Sequence, residues 1–171
     1  CIRDSASGST LDLTNQTENY TINGAGSVDD ITGGGGNDII TGKAGDDTLK
    51  GGSGNDTFNV DSGTDSITDL GGSGSGGESD ILKVSNGATA NATNIKSFTA
   101  TGDTQNLGTA TLTAISTGGT IDMSSASGSA VYTIIGGAGA DNLKGDDGND
   151  TFKIVASTEG NSDTIDGDGG S

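Results

Sequence analysis

The chain has 171 residues and carries 24 acidic against 7 basic side chains, a formal net charge of −17. That balance disfavours nucleic acid and anionic membranes as partners and makes cations the natural ligand. Hydrophobic residues are 28% and aromatics 3%, too few for an ordinary globular core, and the absence of histidine removes the commonest general base, Ser-His-Asp catalysis and His-ligated zinc.

Residues 1–23 are expected to form a lead-in β segment, with short alternating stretches at Thr10-Leu-Asp-Leu-Thr14 and Tyr20-Thr-Ile22. Cys1 is the only cysteine, so no internal disulfide can form; it reads as the end of a fragment rather than as a nucleophile.

From Gly24 the chain repeats every nine residues. The copies are Gly24-Ala-Gly-Ser-Val-Asp-Asp-Ile-Thr32, Gly33-Gly-Gly-Gly-Asn-Asp-Ile-Ile-Thr41, Gly42-Lys-Ala-Gly-Asp-Asp-Thr-Leu-Lys50 and Gly51-Gly-Ser-Gly-Asn-Asp-Thr-Phe-Asn59. A weaker fifth, Val60-Asp-Ser-Gly-Thr-Asp-Ser-Ile-Thr68, keeps the register. Asp29, Asp38, Asp47, Asp56 and Asp65 hold the sixth place, and Ile31, Ile40, Leu49, Phe58 and Ile67 the eighth. Glycines at the first, second and fourth places permit a tight turn with positive φ, which lets carbonyl oxygens point inward. The last three residues suit a short strand whose eighth-place side chain faces a core. A flexible Gly/Ser linker has similar composition, but it has no reason to keep a carboxylate and an apolar residue in fixed phase. The pattern fades after Phe58; residues 69–79 are expected to bulge as a loop, and Asp80-Ile-Leu82 recovers the motif.

Residues 84–135 are rich in Thr, Ser, Ala and Asn, with alternating stretches at Ala110-Thr-Leu-Thr-Ala-Ile115 and Thr120-Ile-Asp-Met123. Leu112 and Ile121 lie nine apart, which favours further coils without metal loops; a small β-sandwich is the competing reading. A second block then runs Gly136-Gly-Ala-Gly-Ala-Asp-Asn-Leu-Lys144 and Gly145-Asp-Asp-Gly-Asn-Asp-Thr-Phe-Lys153, with a later Asp163-Thr-Ile165. The final Asp166-Gly-Asp-Gly-Gly170 reads as a repeat cut off at its start, so a piece of a longer array is expected. Four segments result: lead-in 1–23, first repeat block 24–83, Thr/Ser-rich β region 84–135, and a truncated second block 136–171.

The pattern G-G-x-G-x-D-x-U-x resembles the RTX (repeats-in-toxin) calcium-binding nonapeptide family over roughly residues 20–82 and 132–166. The resemblance implies an all-β fold: a right-handed parallel β-roll, one nonapeptide per half turn and two per coil. Bends two repeats apart would stack about 4.8 Å apart, at strand spacing, and share a calcium ion. Calcium takes six to eight oxygens, so inward carbonyls plus the sixth-place carboxylate suit it. The implied metal residues are Asp29, Gly33, Gly34, Gly36, Asp38, Gly42, Gly45, Asp47, Gly51, Gly52, Gly54, Asp56, Gly63, Asp65 and Asp80, then Gly136, Gly137, Gly139, Asp141, Gly145, Gly148, Asp150 and Asp163. The best-formed pair is 33–38 with 51–56. The pair 42–47 with 60–65 is poorer, since Val60 and Asp61 replace both leading glycines, and the bend at 24–29 has Ala25 and Ser27 where glycines are expected. The interval from Tyr20 to Tyr132 exceeds that from Phe58 to Phe152 by two nonapeptides, so the second block is shorter than the first by one whole coil.

Lys50, Lys83, Lys144 and Lys153 follow the inward residue of a repeat and are expected on the outer face, merely solvated or touching a lattice or polysaccharide. In the acidic pairs Asp29-Asp30 and Asp46-Asp47 only Asp29 and Asp47 hold the ligand register, so paired catalytic carboxylates are not expected, and neither is any enzyme activity. No run of about eighteen apolar residues occurs, so no transmembrane insertion is expected. Among proteins with such repeats, the Thr/Ser/Ala/Gly/Asn-rich filler and lack of Pro and His look like a Gram-negative surface-layer protein. The resemblance then implies type I secretion, calcium-driven folding outside the cell and self-association into a two-dimensional lattice at the cell surface, with cell-surface polysaccharide as a second candidate partner. The alternative is the calcium-binding tail of a secreted enzyme or toxin.

Overall fold

The computed structural model describes residues 2–3, 7–72, 78–155 and 162–169, which leaves Cys1 and residues 4–6, 73–77, 156–161 and 170–171 outside the description. Every strand pairing is parallel, and the chain winds into a β-solenoid whose strands collect into three sheets. The first face is seven strands deep: Ile2–Arg3, Thr21–Asn23, Ile39–Thr41, Thr57–Val60, Ile81–Val84, Gln105–Asn106 and Ser127–Gly128. The second is eight deep: Thr10–Asp12, Asp30–Gly35, Thr48–Ser53, Thr64–Ile67, Thr89–Ile95, Thr109–Ala114, Tyr132–Ile135 and Thr151–Lys153. A third, four-stranded face joins only in the later coils, as Ser97–Thr99, Thr120–Asp122, Asn142–Lys144 and Thr164–Asp166.

Register follows the nonapeptide. Ile22 pairs with Ile40 and Ile40 with Phe58 on the first face; Ile31 pairs with Leu49 and Leu49 with Ile67 on the second, each step being two nonapeptides. Alternation puts these side chains inside, where Ile22, Ile40 and Phe58 form one buried column and Ile31, Leu49 and Ile67 a second, in one narrow core. A thin apolar stack between polar faces is how a chain with 28% hydrophobic residues still forms a core.

Residues 84–135 continue the solenoid: Ala92, Leu112 and Ile134 extend the second-face column, and Phe98, Ile121 and Leu143 form a third. Leu112 and Ile121 thus stand on successive faces, one nonapeptide apart, as continued coils require. These coils are longer than two nonapeptides, as the pairings of Ala90 with Ala110 and of Ile121 with Leu143 show, and their slack supplies the third face. Alanines at 88, 90, 92, 100, 110 and 114 fill the interior there. In the first block Ile22 reaches Phe58 in two coil steps, and in the second Ile134 reaches Phe152 in one, so the difference between the blocks is a whole coil.

Of the loop expected at 69–79, residues 73–77 lie outside the described residues, and its first residues do not bulge. Asp69, Leu70 and Gly71 are buried and close the coil before residue 73. Leu82 still pairs with Phe58, although the coil between them is longer than two nonapeptides, so the extra length is absorbed without loss of register. Among the described residues no helix is long and apolar enough to cross a membrane.

Candidate metal centre

The sixth-place aspartates form ladders along the edges of the stack. Each Oδ1 accepts the backbone N–H of the residue one coil earlier. Asp29 receives Ser9 at 2.9 Å, Asp47 receives Asp29 at 2.8 Å and Asp65 receives Asp47 at 3.1 Å. On the opposite edge Asp38 receives Tyr20 at 2.7 Å, Asp56 receives Asp38 at 2.8 Å and Asp80 receives Asp56 at 2.9 Å. The second block repeats the device with Gly119 to Asp141, Asp141 to Asp163 and Tyr132 to Asp150. Carboxylates therefore line up coil upon coil, as the repeats imply, and Asp29, Asp38, Asp47, Asp56, Asp65, Asp80 and Asp141 are all buried.

A second ladder, which the repeat pattern did not flag, runs the other way at the fifth place. Asn19 Oδ1 accepts the Asn37 N–H, Asn37 Oδ1 the Asn55 N–H and Asn55 Oδ1 the Ser79 N–H, at 2.8 to 2.9 Å. On the opposite edge Asp46 plays the same part for Thr64, which explains its place beside the ligand residue Asp47. Asp30, the other extra acid, is exposed.

The remaining carboxylate oxygens distinguish the bends. Oδ2 of Asp38, Asp47, Asp65 and Asp141 is buried without any hydrogen-bond partner. A buried anion without a partner is costly, so these atoms call for a cation. Those of Asp38, Asp47 and Asp141 point at the leading glycine of their own repeat: a Cβ built on Gly33 or Gly42 would collide with Oδ2 of Asp38 or Asp47, and one on Gly136 would lie 2.9 Å from Asp141 Oδ2. The Gly42 position would also stand 3.1 Å from Asp65 Oδ2, so two orphaned oxygens converge where Val60 and Asp61 replace glycines. That bend holds its shape because Lys43 takes φ 79° and pairs with Asp61 at 3.2 Å across the coils. Gly51 and Gly145 crowd Asp56 and Asp150 in the same way.

Gly34 pairs with Gly52, and their positive φ values of 114° and 106° let two bends approach where a side chain would strike backbone. Gly54 stacks on Gly36 and Gly63 on Gly45, while Gly137 and Gly139 lie against the non-repeat bend at 115–118. Gly148 sits beside Asp146, and Asp163 is half-buried. Elsewhere the second oxygen is already engaged, Asp29 Oδ2 by Ala25, Asp80 Oδ2 by Gly71 and Asp150 Oδ2 by Asp146. Asp69, outside the expected set, accepts the N–H groups of Gly51 and Gly52 at 3.1 and 2.9 Å and caps the glycine bend at 51–54. Only its spacing of two nonapeptides from Gly51 marked it. Lys50, Lys83 and Lys153 are exposed on outer faces, whereas Lys144 is half-buried and pairs with Asp166 and Asp168.

These residues fit calcium. A hard cation needs neutral oxygens as well as charge, and among the described residues no three acidic, cysteine or histidine groups converge on one point. Coordination would draw on one or two carboxylates, those of Asp38 with Asp56 or of Asp47 with Asp65, and on the carbonyls of stacked glycine bends.

Burial without a counter-ion raises the pKa of Asp56 and of Asp65 to about 7, with Asp80, Asp38 and Asp69 adding to the first and Asp47, Asp46 and Asp61 to the second; burial lifts Asp80 to about 6. An unfolded Asp titrates near 3.9, so between there and about 7 the metal-free folded state holds more protons than the unfolded one, and its stability falls as pH rises. In chelator the chain should therefore keep more folded structure at about pH 5 than at about pH 8. In saturating calcium the order should reverse, because protons compete for the ligands. Thermal melts at both values, with and without chelator, check this.

Against models of known families, the RTX calcium-binding nonapeptide repeat matches residues 21–40, 32–67 and 133–152. No curated protein matches the chain. No solved structure matches it either.

Proposed function

Because this chain carries RTX calcium-binding nonapeptide repeats over residues 21–67 and 133–152, we propose that it is a secreted, calcium-folded structural module of a cell-surface lattice rather than an enzyme. The observation that carries the calcium part is the set of buried, unpartnered Oδ2 atoms on Asp38, Asp47, Asp65 and Asp141, set against glycine bends. Without cations these carboxylates and the net charge of −17 oppose compaction. Extracellular calcium modules bind at about 10⁻⁴ to 10⁻³ M. The chain would then stay unfolded where calcium is scarce, pass through a type I export route in that state and fold outside by mass action. The lattice part is supported by the long Thr-, Ser- and Asn-rich outer faces of an uninterrupted stack, which bound ions would free from mutual repulsion.

Circular dichroism and light scattering during calcium titration test both parts. The expected result is a gain of β structure near millimolar calcium, followed by assembly. Folding without assembly at any protein concentration would favour the tail of a secreted enzyme or toxin. A spectrum identical in calcium and in chelator would remove the calcium reading.

A further inference from the structure

The chain has 24 acidic residues, yet none stands in any strand of the first face. The second face carries Asp12 and Asp30 outward, and the third carries Asp122 and Asp166. The aspartates that lead into the first face, Asp38, Asp56 and Asp80, are buried, and the exposed Asp61 and Asp103 lie in bends outside its strands. Parallel register arranges the outer surface of this face in two rows. Thr21, Ile39, Thr57 and Ile81 form one, and Asn23, Thr41, Asn59 and Lys83 the other. In the first row Ile39 is 44% exposed. In the second the Asn59 amide donates to the Thr41 hydroxyl at 3.1 Å, so polar groups are already held along the stack.

We propose that the first face is a contact surface for a second copy of this chain, packed face to face about a two-fold axis. Two copies of net charge −17 repel each other, and a surface free of carboxylates is where they can approach most closely. Its chemistry is also self-complementary. Hydroxyls and amides each donate and accept, so a row of Thr and Asn can satisfy an identical row, and exposed isoleucines can bury one another. A face seven strands deep is about 30 Å long and about 10 Å wide, so it covers about 300 Å² per copy. A stable pair buries about 800 Å² on each partner. The contact is therefore weak alone and suits an array, in which further contacts add to it. The proposal rests on the lattice reading and names the surface through which it acts.

Sedimentation of the full chain in calcium over a range of protein concentrations tests this, with circular dichroism as the check on folding. A two-fold contact meets each substitution twice, and like charges set face to face oppose association. Ile39→Asp and Thr57→Asp should each weaken self-association at least roughly tenfold. Thr48→Asp adds the same charge at an exposed position on the second face and should leave association unchanged. All three should keep the calcium-induced β spectrum. If the two first-face variants associate as the unsubstituted chain does, the contact lies elsewhere, and this inference falls while the lattice reading stands. A chain that folds in calcium but stays monomeric at every concentration removes both. If such a monomer sediments faster with a neutral glucan and Ile39→Asp abolishes the shift, the face belongs to a polysaccharide instead.

Discussion

Replacing Gly52 by alanine is expected to destabilise the calcium-bound protein by about 3 kcal/mol or more and to abolish binding between the bends at 33–36 and 51–54. Two penalties act together. Gly52 has φ 106°, a backbone region closed to residues with a Cβ, and the added methyl would strike the carbonyl of Gly34 in the coil beneath. The strain costs about 1–3 kcal/mol alone, and the collision can be relieved only by spreading the coils whose closeness makes the site. Gly26→Ala is the matched control, since a Cβ there meets nothing within 4 Å and its φ is not positive. Chelator-dependent melts of both variants, with calorimetric stoichiometry, check the contrast: one ion fewer for Gly52→Ala and an unchanged profile for Gly26→Ala.

Asp65→Asn should produce effects of opposite sign in the two states. Asp65 is fully buried, accepts the Asp47 N–H through Oδ1 and leaves Oδ2 unpartnered near Asp47 Oδ2. In the metal-free state above neutral pH, asparagine removes a buried, uncompensated charge and should raise stability by a few kcal/mol at most, on the scale of roughly 1.4 kcal/mol per pKa unit. In calcium the same change removes a charged ligand and should weaken the site at least roughly tenfold. Asp47→Asn should act alike, and the double variant should not be additive, because both oxygens serve one place. A variant less stable without calcium and unaltered with it would mean that Oδ2 has only a packing role.

The parts of this fold legible in the sequence are those that repeat locally. Asp and the apolar residue two places on fix which face is inside, so Ile40, Phe58 and Leu49 and the aspartates beside them are placed by spacing alone. The fifth-place ladder was hidden because Asn37 and Asn55 read as filler until coils two nonapeptides apart are stacked. Asp69 was hidden because it takes the place of a glycine at the start of a Gly/Ser-rich run. The third face could not be foreseen either: it depends on coils longer than two nonapeptides, set by small insertions between Asp65, Ala90, Ala110 and Tyr132 rather than by any motif. At 42–47 with 60–65 the glycine pattern is broken, and what spacing alone does not give is that Oδ2 of Asp47 and Asp65 both approach Gly42. Lys43 takes φ 79° in that bend and pairs with Asp61.

The central claim is that cations lie inside the stack, between bends of neighbouring coils. Anomalous diffraction from crystals grown in calcium measures this directly. The account predicts peaks beside Oδ2 of Asp38, between the bends at 33–36 and 51–54, and beside the converging oxygens of Asp47 and Asp65. Peaks confined to exposed carboxylates such as Asp30, Asp61 and Asp103, with none among the glycine bends, would contradict it.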